Sequence, residues 1–437
     1  MTGRLVRFMK RTYLLALIPF TALSFCVVGC DEAYSEALRY GVRTDPVPLT
    51  KLGDEYPFPD QPGQMPILSI DNFQDERNPY FAAHQKNDLI KGKVFLDPTK
   101  LADAGRQQIR QVLDKFFGTP AKPTVGGIDD DDLKKQALEV LKLDDKILAL
   151  GSQEYRKHCL HCHGVTGDGR GPTARWVNPH PRDYRQGRFK FESVDQTQTG
   201  QMPPHRDDLM RTLEVGVEGT AMPSFVVLPS DVREALVSYV IHLSLRGMAE
   251  FNVFKNKIDE NTLKLDSGET LEQVVKDYQF NNVSAWVKSQ DPANRIKVAP
   301  YPYDDNEPDL KQLKASVARG KELFSSPRPE WAAKIGKDVC ITCHKDYGRQ
   351  SYFRYDEWGT FAKPNNLLMG VYRGGRRPVD IYYRVHSGIP PSTMNAFANL
   401  VPTDPGGKNT NALWDIVNFV RVLGNPNMRQ KMGIYVD

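Results

Sequence analysis

Two five-residue stretches, Cys159-Leu160-His161-Cys162-His163 and Cys340-Ile341-Thr342-Cys343-His344, carry the same pattern, Cys-x-x-Cys-His. On a helical turn, positions i, i+3 and i+4 share a face. Two sulfurs can then reach the two vinyl groups of a haem while the adjacent histidine ligates its iron, which is the chemistry of covalent haem c attachment. Six cysteines and nine histidines in 437 residues make one such match by accident rare and two far rarer. Three other uses of paired cysteines stand beside this one: structural zinc, a redox dithiol, and disulfides. The motifs lie 181 residues apart and each is followed at once by histidine, which zinc does not require. A thioredoxin-like dithiol wants a βαβ setting that neither motif has.

The remaining cysteines, Cys26 and Cys30, fall in the N-terminal segment, leaving none for a disulfide in the body of the chain. That segment opens with Arg4, Arg7, Lys10 and Arg11, runs apolar from Tyr13 to Val28 and ends Val27-Val28-Gly29-Cys30. Positive flank, apolar run and small residue before a cut describe an export signal over residues 1–29. The last four residues resemble a bacterial lipobox, which implies that Cys30 is lipidated and Cys26 discarded. The alternative is a retained helix, short for a bilayer that takes about 20 apolar residues. In either case the chain is membrane-anchored and faces the periplasm or cell exterior. Loss of residues 1–29 removes four basic and no acidic groups and takes the net charge from +4 to 0. A neutral chain, made acidic by haem propionates, excludes nucleic acid as the expected partner.

Residues 30–132 read as an irregular arm with one helix. Residues 31–100 are rich in Pro, Asp, Tyr and Gly, as in Tyr56-Pro57-Phe58-Pro59-Asp60, and suit a tether or a surface-wrapping strap. The helix carries Ile109, Val112, Leu113, Phe116 and Phe117 and stops at Gly118 and Pro120. The acidic run Asp129 to Asp132 reads as a helix N-terminus rather than a metal site. Residues 133–249 then form a first domain, with Leu148, Gly151 and Tyr155 on a helix leading into Cys159 and a closing helix from Ser230 through Ala235, Leu236, Tyr239 and Leu243. Residues 250–308 read as a linker with some structure. Residues 309–425 repeat the plan: a helix through Val317, Gly320, Leu323 and Phe324, the second motif, and a closing helix through Leu413, Ile416, Val417 and Val420. Residues 426–437 are a tail. Nothing reads as a sheet.

Both halves resemble class I cytochrome c domains, a small all-α fold whose first and last helices cross beside a haem. The resemblance covers roughly 230 residues and implies an all-α chain with two such domains in tandem and two haem c groups. It implies His163 and His344 as one axial ligand of each iron. The Gly219-Thr220-Ala221-Met222-Pro223-Ser224-Phe225 and Gly388-Ile389-Pro390-Pro391-Ser392-Thr393-Met394-Asn395 loops supply Met222 and Met394 as the other. Asn395 stands where the family has proline. Met202 and His205 compete for the first iron and His386 for the second. The resemblance further implies that Pro172 and Pro364 offer carbonyls to the histidine rings. Arg182, Arg185, Arg373 and Arg376 either neutralise propionates or sit solvated on the surface. Phe324 lies 16 positions before Cys340, against 4 between Tyr155 and Cys159, so the second half carries an insertion there. The arm matches no cytochrome pattern.

Histidine–methionine ligation fills both axial positions, raises the potential and leaves no open site. The expectation is a carrier of single electrons between membrane-bound respiratory partners, a respiratory complex or a small redox carrier, similar to cytochrome subunits of haem-copper oxidases or quinol-oxidising complexes. The lipid tether would raise its effective concentration there. The alternative is a dihaem cytochrome c peroxidase, with His205 as a displaceable ligand.

Overall fold

The computed structural model describes residues 34–45, 47–48, 95–96, 98–199, 202–259, 262–301, 309–325, 339–350, 354–355, 361–390, 392, 394–398 and 412–436. The segment expected to be a signal, Cys30, most of the arm and the stretch expected to be an insertion before Cys340 lie outside the described residues. Among those residues no helix is long and apolar enough to cross a membrane.

The described residues are mostly helical. Three two-residue antiparallel pairings, Val47–Pro48 with Phe95–Leu96, Ile258–Asp259 with Thr262–Leu263 and Arg354–Tyr355 with Phe361–Ala362, are the strands among them. Helix α1, Asp103–Phe117, ends where Gly118 takes φ 66°, a left-handed value that favours glycine. Helix α2, Asp131–Glu139, is capped by Asp130, whose carboxylate accepts the Leu133 amide at 2.7 Å, so the acidic run is a cap. Helix α3, Asp145–His158, is capped in the same way by Asp144 and runs into the single turn α4, Leu160–His163. After a long loop come α5, Arg206–Val215, the 28-residue α6, Ser230–Lys257, and α7, Leu271–Ser289. Helix α8, Leu310–Ser325, the turn α9, Cys340–Cys343, then α10, Pro378–Ser387, α11, Ala412–Leu423, and α12, Pro426–Met432, follow.

Two separate cores result. In the first, α3 crosses α6 so closely that a β-carbon on Gly151 would collide with the Ala235 carbonyl and the Tyr239 side chain. In the second, α8 crosses α11 with Gly320 against the Asp415 carbonyl and Phe419. Each glycine precedes its aromatic partner, Tyr155 or Phe324, by one helical turn, and both aromatics are buried. The same crossing has thus been built twice.

The stretch expected as a linker differs from that reading. Helix α6 runs past residue 249, and α7 packs Val274, Val275, Val283 and Trp286 into the first core. Ile296 already belongs to the second core. Buried on several sides, α6 carries no polar face over much of its length, with Ser238, His242, Ser244, Arg246 and Glu250 all inside. The arm supplies part of that cover. Tyr40 is fully buried, its hydroxyl 2.9 Å from the Tyr239 hydroxyl and 3.3 Å from His242 Nε2.

Candidate haem sites

Helix α3 delivers Cys159 to the start of α4, and the Tyr155 hydroxyl donates to the Gly164 carbonyl at 2.9 Å, pinning the far end of the motif. The His163 amide donates to the Cys159 carbonyl at 2.9 Å. One turn therefore holds the motif together, as its spacing requires. His163 Nδ1–H donates to the Arg182 carbonyl at 3.1 Å, and the ring stacks on Tyr184 at 4.7 Å. In the second core the His344 amide donates to the Cys340 carbonyl at 2.8 Å, and His344 Nδ1–H donates to the Asn365 carbonyl at 3.3 Å.

These carbonyls correct the expectation for Pro172 and Pro364. Pro172 follows Gly171, which is wedged under the Leu160 and His161 carbonyls, and makes no such bond. The acceptors belong to the residues after Pro181 and Pro364. A proline fixes the chain direction just ahead of each acceptor, and a carbonyl fixes which ring nitrogen carries the proton. Among the described residues each Nε2 has no hydrogen-bond partner. Burial pushes the His163 ring down to about 4, against a weaker upward pull from the Arg182 carbonyl. The His344 ring is lowered by burial too. A neutral imidazole with a free Nε2 lone pair can bind a metal ion.

The methionine loops repeat bond for bond at a spacing of 172 residues. Helices α5 and α10 end at Gly216 and Gly388, with φ 69° and 74°. The next amide, Val217 or Ile389, donates to the carbonyl of Met222 at 3.0 Å or Met394 at 3.3 Å. The Thr220 hydroxyl donates to the Val217 carbonyl at 2.7 Å and accepts the Met222 amide at 3.1 Å. Ser392 makes the same two bonds, to Ile389 at 2.5 Å and from Met394 at 3.3 Å. The Phe225 and Phe397 amides donate back to Leu213 and Val385 in the preceding helices at 2.7 and 3.0 Å. Replacing Pro223 by Asn395 leaves this hairpin intact. Met394 lines a cavity of about 230 Å³ together with Cys340, Cys343 and His344. Met222 is partly buried against the first core.

The competing ligands each have contacts of their own. His205 caps α5, its Nε2 meets the Gln290 carbonyl at 3.2 Å, and Arg295 lies 2.7 Å from its Nδ1. Met202 is buried and tied through its backbone to Gln196. His386 is buried against Ser387 and Tyr382 and is not part of the cavity wall. One arginine departs from both expectations. Arg185 is buried between Asp183 and Asp45, at 2.7 and 2.9 Å, so its charge is spent on holding the arm. Arg376 pairs with Glu218 on the surface. Arg182 contributes its carbonyl. Arg373 does line the cavity, and so does Arg384, which pattern reading had no means to single out from a helix interior.

The donor set fits haem c in both cores. Two cysteines on one turn, an oriented neutral histidine and a methionine on a braced loop are present in each. Cys159 and Cys340 belong to different cores, and among the described residues no three His, Cys, Asp or Glu side chains gather as a shared zinc would require. Burial raises both thiols to about 12, the reverse of an activated dithiol. Among the described residues the four motif cysteines form no disulfide.

Fold and site together define a class I c-type cytochrome domain in the first core, a type of domain that binds haem c. Residues 148–240 match the family described as cytochrome c oxidase, cbb3-type, subunit III. The chain is also similar to a chain of the reducing HAO-like protein complex of Kuenenia stuttgartiensis, at 20% identity and a TM-score of 0.38 over 63% of this chain and 95% of that one. No curated protein matches it.

Proposed function

We propose that this chain is a dihaem c-type cytochrome that passes single electrons between membrane-bound respiratory partners, as a subunit or tethered donor of an oxidase or quinol-oxidising complex. Cys159, Cys162 and Cys340, Cys343 bind the two haems; His163 with Met222 and His344 with Met394 ligate the irons; Cys30 anchors the chain on the periplasmic or outer face. The observation that carries this reading is the repeated pair of devices, a carbonyl on each histidine Nδ1–H and a hydroxyl-braced methionine hairpin.

Haem held by these residues would supply a one-electron change at iron. The residues do the rest. Arg182 and Asn365 hold each imidazole in one tautomer and one orientation. The Thr220 and Ser392 hydroxyls hold the methionine loops in shape. Leu367, Ile381, Val385, Phe397, Ile416 and Val420 give the second cavity an apolar lining that excludes water and favours the less charged, reduced state.

A redox-titrated optical spectrum of the wild type, Met222→His and Met394→His tests this reading. Each substitution is expected to remove part of the weak methionine-to-iron band of the oxidised protein and to lower one of two midpoints. Pyridine haemochrome analysis of acid-acetone-washed protein should give two haems per chain. An unchanged band in both variants, a single haem, or rapid peroxide turnover by half-reduced protein would replace it.

A further inference from the structure

The cavity that holds Cys340, Cys343, His344 and Met394 is not closed by the second core alone. Pro179, Lys190 and Phe191, from the loop between α4 and α5 in the first half, form part of its wall. The sequence Tyr372-Arg373-Gly374-Gly375-Arg376 is shaped to receive them. A β-carbon on Gly374 would collide with the Phe191 ring, and one on Gly375 would collide with the Asp380 carboxylate beside Arg211. Both glycines have positive φ, 83° and 102°, so neither the backbone nor the space admits an ordinary side chain.

The Arg211–Asp380 ion pair that Gly375 makes room for spans the two halves at 2.8 Å, with the Asp380 side chain only 3% exposed. A third glycine repeats the theme from the other side. Gly219, in the first methionine loop, would meet Val371 at 2.7 Å if it carried a β-carbon, and Glu218 beside it pairs with Arg376. The first methionine loop and the second cavity therefore share one interface, packed at the closest approach the backbone allows.

We infer that the first domain builds one wall of the second haem site, and that Phe191, seated on Gly374, sets the second haem's reduction potential across the domain boundary. The inference rests on the dihaem reading above. Phe191 acts by excluding water from that edge of the cavity, and water entering there stabilises the more charged, oxidised iron.

The test is a spectroelectrochemical titration of the intact holoprotein, with the second haem's wave identified as the one that Met394→His displaces. In Phe191→Ala that wave is expected to fall by at least a threefold change in the reduction equilibrium, about 28 mV at 59 mV per decade. The wave displaced by Met222→His should stay in place. Phe191→Leu, which keeps an apolar wall, should restore the wild-type value. A second wave that does not move in Phe191→Ala, or equal movement of both waves, overturns the inference. A wild type with fewer than two haems overturns the dihaem reading instead.

Discussion

Gly151 lies beneath Ala235 with no room for a methyl group between the two helices, because the Ala235 carbonyl and the Tyr239 side chain fill that space. The crossing of α3 and α6 is thereby fixed by one missing side chain, and Gly320 fixes that of α8 and α11. Helix glycine costs up to ~1 kcal/mol relative to alanine, a penalty that close packing returns here. Gly151→Val is expected to destabilise by about 3 kcal/mol or more through overpacking, and Gly320→Val likewise. Thermal unfolding followed by far-UV circular dichroism checks both; wild-type midpoints would refute the tight crossing.

Asp45 is the counter-charge that lets two arginines sit inside the protein. Burial pushes its carboxyl up, yet Arg185, Arg43 and Arg170 outweigh that and hold it well below the usual carboxylate range. Asp45→Asn leaves Arg43 and Arg185 short of a partner, and breaking a buried pair costs ~3 kcal/mol or more. The sign with pH follows from the lowered value: the stabilisation is full above the unfolded carboxylate range and is lost as pH falls through the folded one. Denaturation curves of wild type and variant should be well separated at pH 7 and draw together in strong acid. Parallel curves across that range would remove Asp45 from this role.

Asp208 behaves the opposite way. Burial raises its carboxyl to about 6, against the Ser193 and His205 donors that favour the charged form. Glu192, Arg295, Arg211 and Tyr383 face it from the neighbouring segments. A raised folded value means that stability is full below the unfolded carboxylate range and falls as pH rises through about 6. The loss amounts to on the order of 3 kcal/mol for about two units. Asp208→Asn keeps an acceptor and cannot titrate, so its stability should fall less between about pH 4 and 6 than that of the wild type. Equal slopes in urea titrations at a series of pH values would contradict this.

What could be read from the chain and what could not divides by chemistry. Cys-x-x-Cys-His and the Gly-to-Met loops announce themselves because the side chains themselves would carry the proposed function. The acceptors of the histidine rings do not, since any residue offers a carbonyl; only the fold shows that Arg182 and Asn365 are in place, not Pro172 and Pro364. Helix α7 was hidden within an expected linker because Gln279 and Asn282 are buried among its apolar residues and blur the helical period. Arg185 reads as a surface arginine until Asp45, 140 residues earlier, is brought to it. The glycines of Tyr372-Arg373-Gly374-Gly375-Arg376 resemble a flexible turn in sequence, and only the approach of Phe191 and Arg211 gives them a purpose.

Thr220 and Ser392 offer a matched test of the two methionine loops. Each hydroxyl both donates to the carbonyl three residues back and accepts the methionine amide two residues on, so one atom closes the hairpin twice. Thr220→Val keeps the volume and removes both bonds, at a cost of ~1 kcal/mol for each lost bond. That loss falls on the loop and leaves the α3–α6 crossing alone. In the oxidised holoprotein the methionine-to-iron band of the first haem should therefore vanish at lower denaturant than in the wild type, before global unfolding, while Thr220→Ser retains it. Ser392→Ala should do the same to the second haem only. If both variants kept the band up to the global transition, the hydroxyls would not be what braces the Met222 and Met394 loops in the proposed ligation.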